Sequence, residues 1–307
     1  GIYMSQEILT LYSKCDGLPL SAAIFRPETE TKGVVQISHG MAEHKERYFP
    51  FMEYLASQGY ASVINDHRGH GDSIREKEEL GYFYDDTGTY IIEDLHQITQ
   101  YIKEVFPKKP VYLFGHSMGS LAVRKYIKKY DNAIDKLIVC GSPSKNPLAG
   151  VALTLAKIEE IFKGDKHRSS FIHNLAFGAY TKGIENPVSD NAWLSVNRDN
   201  VICYDDDPLC GYVFTLNGFR NLFILLKDVY SASDWTLKNA NLPVFFIAGS
   251  DDPVIVSEIK WNESCEFLKK IGYNNVKRKL YQGLRHEILN EDIKEEIFDD
   301  IVKFVEE

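Results

Sequence analysis

The sequence predicts an α/β fold built on a mostly parallel sheet with helices on both faces. Short apolar runs that suit buried parallel strands alternate along the chain with stretches of helical periodicity. A β-hairpin precedes them, formed by residues 8–11 and 20–25 around Asp16-Gly17. Crossovers between parallel strands pack back onto the sheet, so this alternation predicts helices on both of its faces. The apolar runs comprise residues 34–38, 61–66, 111–115, 137–140 and 242–248.

Two predicted helices have recognisable starting points. Apolar residues recur every three or four positions over 91–105, and Thr87 or Thr89 is expected to cap this helix. The last helix is predicted over 291–306, with Asn290 as its N-cap. Each start is inferred from a polar side chain that can accept a hydrogen bond from the first helical turn.

The alternation stops in one long stretch, residues 143–233, which is irregular and rich in Phe, Tyr, Leu and Asn. We interpret it as an inserted cap above the sheet. Residues 1–142 and 234–307 then form the core, and its second part adds a helix around 256–271 and a strand around 276–281 before the final helix.

Composition and charge exclude several classes of function. The chain has 307 residues and a net charge of -9, which disfavours polyanions such as nucleic acid as partners. Five cysteines at wide spacings, with no CxxC pair, indicate reduced thiols and a cytoplasmic protein. The start GIYMSQEILT has no signal-peptide pattern, and the longest apolar stretch, residues 147–156, is too short to span a bilayer.

A candidate nucleophile lies at the junction of a strand and a helix. The apolar run 111–115 leads into Gly115-His-Ser117-Met-Gly119, and residues 118–130 are helical in pattern. A G-x-S-x-G motif is weak by itself, but between a buried strand and a helix it predicts a turn that exposes a strained serine. Ser117 is therefore the predicted nucleophile.

A serine nucleophile needs a base and an orienting acid, which follow it in the order acid, then histidine. Of nine histidines, only His286 lies beyond the last plausible acid-bearing strand. It also stands between a predicted strand and the final helix. His286 is the predicted base.

Two neighbouring aspartates compete for the role of the acid. Asp251 and Asp252 both follow the apolar run that ends at Ala248. Asp252 is favoured, because the proline after it restricts its backbone towards an extended conformation. The other aspartate is expected to bond local backbone in a turn, and Asp228 or Glu258 would be tested next if neither is the acid.

The tetrahedral intermediate needs N–H donors for its oxyanion. Met118, the residue after the nucleophile, should provide one donor. The second should come from the loop after the strand 34–38, where Gly40 would allow the Met41 N–H to point inward.

A polar loop at residues 66–73 has the composition of a catalytic segment. Its histidines, His67 and His70, precede Ser117, so the chain order excludes them as the base. We interpret it as a structural loop stiffened by Arg–Asp pairing. His67 and His70 also lack a helical metal-ligand spacing, and no metal or cofactor is expected.

Taken together, these motifs resemble the monoacylglycerol lipase and lysophospholipase-like branch of the α/β-hydrolase superfamily. The matching segments are HGMAEHKERY at 39–48, DHRGHGDS at 66–73, GHSMGS at 115–120, GSDD at 249–252 and HEILNE at 286–291.

The resemblance implies an eight-stranded sheet, an antiparallel second strand and a cap over the site. It supports the triad and both oxyanion donors, and it suggests that Glu43 and Arg47 shape a polar end of the pocket. Ala42 departs from the family, which often has glycine there.

The function expected from these residues is ester hydrolysis through an acyl-enzyme. The substrate is expected to be a monoacylglycerol or a similar mono-acyl lipid, with at most peripheral membrane contact through the cap. The alternatives are a lysophospholipase, a small-ester esterase, or a peptidase, thioesterase or acyltransferase on the same triad. A proline iminopeptidase is disfavoured, because HGMAEH lacks an HGG-type loop. A binding protein with this fold and no turnover is a further alternative.

Overall fold

Eight strands form one sheet in the computed structural model, which describes residues 4–307. Their order is β1-β2-β4-β3-β5-β6-β7-β8, and β2 runs antiparallel to both of its neighbours while the later pairs are parallel. The α/β-hydrolase prediction of a mostly parallel eight-stranded sheet is confirmed, including the antiparallel second strand and the initial hairpin. The strands are β1 (Met4–Tyr12), β2 (Pro19–Pro27), β3 (Val34–Ser38), β4 (Ala61–Asn65), β5 (Val111–His116), β6 (Lys136–Cys140), β7 (Val244–Gly249) and β8 (Val276–Tyr281).

Helices cover both faces of the sheet. Successive strand residues point to opposite sides, so apolar side chains are buried on both faces. In β5, Leu113 belongs to the hydrophobic cluster that includes α2, α3 and α8, whereas Phe114 belongs to the cluster with α1 and α9. Within residues 4–307 no helix is both long enough and apolar enough to cross a membrane. The helices of the core are α1 (Phe49–Ser57), α2 (Tyr90–Val105), α3 (Met118–Tyr130), α8 (Glu258–Ile271) and α9 (Lys294–Glu306).

The long stretch between β6 and β7 contains the remaining α-helices of the described chain. These are α4 (Ala149–Lys163), α5 (Ser170–Phe177), α6 (Arg198–Asp206) and α7 (Leu216–Asp228). Leu153, Ile172 and Phe219 from this segment share a hydrophobic cluster with Leu121 of α3. The segment is therefore packed on the side of the sheet that carries α3.

The start of α2 differs from the prediction. Thr89 precedes the helix, but its side chain makes no capping bond. The carboxylate of Asp85 accepts instead, from the N–H groups of Thr89 at 3.1 Å and Tyr90 at 3.0 Å. The predicted threonine cap is therefore wrong. The Asp85 carboxylate binds these N–H groups and, as an anion, also offsets the positive end of the helix dipole.

The start predicted for the last helix is also wrong. Helix α9 begins at Lys294, and Asn290 ends a short 3₁₀ turn. Glu291, expected in the first helical turn, has a buried carboxylate that accepts from the N–H groups of Arg285 at 3.0 Å and Val196 at 3.1 Å. These tertiary bonds fix residues 288–293 in a loop and delay the helix.

Candidate active site

Ser117 lies at the turn between β5 and α3, as predicted. Its φ of 56° and ψ of -121° are strained for a residue with a side chain, at a cost of about 1–3 kcal/mol. A side-chain carbon on Gly115 would overlap the backbone of Gly119, and one on Gly119 would overlap the carbonyl oxygen of Ser38. The Ser117 N–H donates to the carbonyl of Cys140 at 3.0 Å. The two glycines and the next strand therefore hold the turn.

His286 and Asp252 form a buried pair in the loops after β8 and β7. Nδ1 of His286 lies 2.8 Å from Oδ2 of Asp252. The other carboxylate oxygen, Oδ1, accepts from the N–H of Val254 at 2.8 Å, which fixes the Asp252 side chain. Asp251 is exposed and does not contact the imidazole. The structure thus brings Asp252, the favoured aspartate, to His286.

The loop after β3, residues 39–44, passes directly behind Ser117; we call it the β3 loop. A side-chain carbon on Gly40 would lie 3.3 Å from Cβ of Ser117. Met41 follows at the wall of the same cavity as Ser117. Met118 is the first residue of α3, so its N–H has no partner inside the helix. Both predicted donors are therefore close to the serine in the fold.

The backbone conformation at Ala42 explains why the family often has glycine at this position. Its φ is 53°, a left-handed conformation that an alanine adopts at a cost and a glycine adopts freely. Its carbonyl accepts from the N–H of Gly211 at 3.0 Å. The strained alanine therefore links the β3 loop to the segment after α6.

The carboxylate of Glu43 is buried at the centre of the β3 loop. It accepts hydrogen bonds from the Gly40 N–H, the Tyr48 hydroxyl and the Arg47 guanidinium, each at 2.7 Å. Burial alone would raise the pKa of Glu43, but the charge of Arg47 and the bond and charge of His116 hold that pKa well below its usual range. Glu43 lines the cavity as an ionised and heavily bonded group.

Arg47 stands behind Glu43 and does not line the main cavity. Its guanidinium forms a bidentate salt bridge with the Glu287 carboxylate, at 2.7 and 2.8 Å, and lies 5.1 Å from the ring centre of Tyr204. Asn200 of α6 donates to Glu287 at 2.9 Å. The predicted polar residues are thus brought together, with Glu43 at the cavity and Arg47 supporting it.

His116, which the sequence analysis did not single out, is buried between these groups and His286. Its Nε2 donates to the carbonyl of His286 at 3.1 Å, and its Nδ1 lies 3.6 Å from Oε2 of Glu43. Burial lowers the pKa of His116, but Glu43 more than offsets this and raises it. Its place in GHSMGS beside the nucleophile was the only indication that the sequence offered.

A second histidine, His44, joins the β3 loop to the segment after α6. Its Nδ1 lies 2.7 Å from Glu46 and its Nε2 lies 2.6 Å from Asp207. Burial opposes the charge, but both carboxylates raise the pKa of His44 to about 9. Cys210 completes a possible ligand set with His44 and Asp207, yet burial raises the pKa of its thiol. The cluster as it stands is a charged histidine between two carboxylates.

The loop at residues 66–73 is structural in its contacts. Arg68 is buried and pairs with Asp94 at 2.9 Å and with Asp16 at 3.0 Å. The rings of His67 and His70 lie near each other, and burial lowers the pKa of both. The expected Arg–Asp stiffening is present, with partners from distant parts of the chain.

A cavity of about 400 Å³ opens onto Ser117 and His286. Its polar lining includes Glu43, His116 and Glu287, beside the base. The indole of Trp193 lies 5.2 Å from the ring of His286. The helices between β6 and β7 add an apolar wall, which includes Leu148, Val151, Leu155, Leu175, Phe177 and Phe223.

Comparison with known proteins agrees with this geometry. A family model described as serine aminopeptidase, S33, in the Hydrolase_4 family, matches residues 29–293. The chain belongs to this Hydrolase_4 family. The predicted resemblance to the α/β hydrolases is thereby confirmed.

Relatives of this Hydrolase_4 chain include lipases and an esterase. It is 25% identical to a monoacylglycerol lipase of Mycolicibacterium smegmatis, over 94% of this chain and 93% of that protein. It is 26% identical to a monoglyceride lipase homolog of monkeypox virus, over 92% of each. Among solved structures, a thermostable carboxyl esterase from Bacillus coagulans in complex with glycerol has a TM-score of 0.90 and 27% identity, covering 99% of this chain and 98% of that one.

Proposed function

We propose that this Hydrolase_4 chain is a serine carboxylic ester hydrolase that acts on monoacylglycerol or a similar mono-acyl lipid. The observation that carries the proposal is the His286–Asp252 pair at 2.8 Å, with His286 and Ser117 on the wall of one cavity. Ser117 is the nucleophile, His286 the base and Asp252 the acid that orients the imidazole. Met41 and Met118 donate their N–H groups to the oxyanion.

The reaction proceeds in two halves. In the first, Oγ of Ser117 bonds to the ester carbonyl carbon and its proton passes to His286. The tetrahedral intermediate then expels the alcohol, which takes that proton and leaves an acyl-enzyme. In the second, a water molecule attacks the acyl carbon and gives a proton to His286. The fatty acid leaves, and the proton returns to Ser117.

The lining of the cavity supports a mono-acyl lipid as substrate. An apolar wall from α4, α5 and α7 suits one acyl chain, at about 0.8 kcal/mol per buried CH₂. The polar side at Glu43, with Arg47 behind it, suits a small hydroxylated alcohol. The glycerol complex of the Bacillus coagulans relative and the names of the two lipase relatives point in the same direction.

A lysophospholipid is the nearest rival substrate, since it also carries one acyl chain. Its head group adds a phosphate, and the described residues that line the cavity include no Lys or Arg to pair with that phosphate. The polar lining therefore favours an uncharged glycerol head.

We further propose that residues 143–233 act as a cap that contacts lipid surfaces peripherally. Ile161 and Phe162, at the end of α4, are exposed by 79% and 81%. Leu148 and Leu175 are also exposed and belong to the cavity wall. A substrate dissolved in a membrane could enter from such a surface. The five free cysteines favour a reducing compartment such as the cytoplasm.

The test compares wild type with Ser117→Ala on one fatty acid presented in several esters. The esters are the mono-, di- and triacylglycerol, the lysophospholipid and a p-nitrophenyl ester, and an aminoacyl p-nitroanilide, which is an amide, is added to detect peptidase activity. We expect the monoacylglycerol to have the highest kcat/KM among the lipids and Ser117→Ala to lose about 10⁴-fold or more. A triacylglycerol preference, cleavage of the anilide alone, or an active alanine variant would contradict the proposal.

A further inference from the structure

Three loops that carry the proposed chemistry meet at one buried pair of side chains, Glu43 and His116. Glu43 belongs to the β3 loop and accepts from the Gly40 N–H at 2.7 Å. His116 precedes the nucleophile and lies 3.6 Å from Glu43. Its other ring nitrogen donates to the carbonyl of His286 at 3.1 Å, in the loop that carries the base.

From this geometry we infer that Glu43 and His116 are positioning residues, which hold the β3 loop, Ser117 and His286 in their working arrangement. The inference rests on the proposed function. It gives Glu43 a task that does not require contact with the substrate. It also gives a task to His116, which the hydrolytic steps themselves do not use.

Glu43 acts on the oxyanion donor through Gly40. The peptide that follows Gly40 carries the Met41 N–H, and glycine by itself leaves this peptide free to rotate. The bond from the Gly40 N–H to Glu43 fixes the peptide before Gly40, and Nδ1 of His39, 2.7 Å from the Gly40 carbonyl, holds the peptide after it. The Tyr48 hydroxyl and Arg47 hold Glu43 in turn. Oxyanion donors work only within about 2.7–3.1 Å, so a displaced loop lowers kcat strongly.

His116 acts on the base through both position and charge. Its Nε2 donates to a carbonyl and its Nδ1 lies 3.6 Å from a carboxylate, an arrangement that favours a ring with two protons and a positive charge. The rings of His116 and His286 lie 4.6 Å apart. A charge on His116 therefore lies directly beside the imidazole of His286.

The charged surroundings of His116 determine the sign of its effect. Glu43 and Glu287 face it as anions, Arg47 lies between these two as a cation, and the Tyr48 hydroxyl bonds Glu43. Removing His116 leaves an unbalanced carboxylate near the base. His286 then keeps its proton to higher pH, so the acid limb of the activity profile moves to higher pH.

The experiment measures His116→Gln, Glu43→Ala and Glu43→Gln on a p-nitrophenyl ester. A matched control is His96→Gln, a histidine of α2 that stacks on Tyr130 at 3.7 Å. Rates are divided by the concentration of sites labelled by a fluorophosphonate, so that misfolded protein does not count.

We expect His116→Gln to lower kcat about tenfold and to leave KM within about twofold of wild type. The acid limb of the profile of kcat/KM against pH should move to higher pH by on the order of one unit. Glu43→Ala should lower kcat about 100-fold. Glu43→Gln, which keeps an acceptor for the Gly40 N–H, should recover most of that loss and shift the limb less than His116→Gln. The control should match wild type.

The inference would be overturned if His116→Gln and Glu43→Ala kept the wild-type kcat per labelled site and the acid limb of their pH profiles did not move. The proposed function would still stand in that case. Failure of wild type to be labelled, or activity in Ser117→Ala, would instead count against the proposed function. If those variants yield no labelled protein, Tyr48→Phe removes a single bond to Glu43. A partial fall in its kcat supports the inference, and an unchanged kcat contradicts it.

Discussion

Oδ2 of Asp252 lies 2.8 Å from Nδ1 of His286, whereas the adjacent Asp251 is exposed to solvent. Two adjacent aspartates thus lie in different environments: Asp252 is a buried partner of the imidazole, and Asp251 lies in a surface turn. Asp252→Asn should lower kcat about 10⁴-fold, because an amide can favour the wrong imidazole tautomer. Asp251→Asn is the matched control and should retain activity within about twofold.

Steady-state rates on a p-nitrophenyl ester, per folded protein, check this difference. Circular dichroism of both variants shows whether the fold survives. Equal and mild losses in the two variants would mean that Asp252 is not the acid.

Gly40→Ala should reduce activity more than stability. A side-chain carbon there would lie 2.7 Å from Oε2 of Glu43 and 3.3 Å from Cβ of Ser117, so the β3 loop must move. We expect kcat to fall about 100-fold, since a small displacement of an oxyanion donor has effects of this size. The control is Gly150→Ala on α4, where a side-chain carbon meets nothing within 4 Å.

For Gly150→Ala we expect unchanged kcat and a gain in the free energy of unfolding of about 0.5–1 kcal/mol. Kinetics and urea unfolding of the two variants provide the comparison. Full activity in Gly40→Ala would show that the β3 loop does not supply a donor.

The site residues predicted from sequence are those whose proposed roles depend on local order. Ser117, Asp252 and His286 each follow a strand, so the strand pattern and chain order were sufficient to predict them, and the fold places all three after strand ends. His116 was missed because its partners, Glu43 and the His286 carbonyl, come from loops distant in sequence. Long-range bonds of this kind leave no periodic pattern.

The errors at helix ends have the same origin. Thr89 and Asn290 are good capping residues by type, yet Asp85 caps α2 and tertiary bonds to Glu291 delay α9. Local propensity decides such details only where the backbone has no stronger partner.

His44 should make stability depend on pH in the alkaline range. Its pKa is raised from 6.5 to about 9 in the folded protein by Glu46 and Asp207, against the effect of burial. Because the folded pKa is the higher one, the stabilisation is complete below pH 6.5 and is lost as the pH rises through about 9. The Tm difference between wild type and His44→Gln should therefore be largest near pH 6 and shrink towards about pH 9.5.

The control for this series is His96→Gln. Burial lowers the pKa of His96, so its contribution should not change above its ordinary pKa. Thermal unfolding at four or five pH values gives both differences. A His44→Gln difference that stays constant across this range would mean that His44 is neutral in the folded protein.

Ile161 and Phe162 should matter for substrate held in a membrane and not for substrate in solution. Both side chains are exposed at the end of α4, by 79% and 81%, and neither lines the cavity that holds Ser117 and His286. Inserting each into a lipid surface would gain about 1.5–3 kcal/mol, which two charges would abolish. We expect Ile161→Glu with Phe162→Glu to lower the rate on monoacylglycerol in phosphatidylcholine vesicles about tenfold or more, and to leave the rate on a soluble p-nitrophenyl ester within about twofold.

Ile8→Glu, at a 53% exposed position of β1, serves as the matched control and should change neither rate. Parallel losses on both substrates would place the effect in the cap's own folding, and an unchanged vesicle rate would remove these residues from any membrane contact.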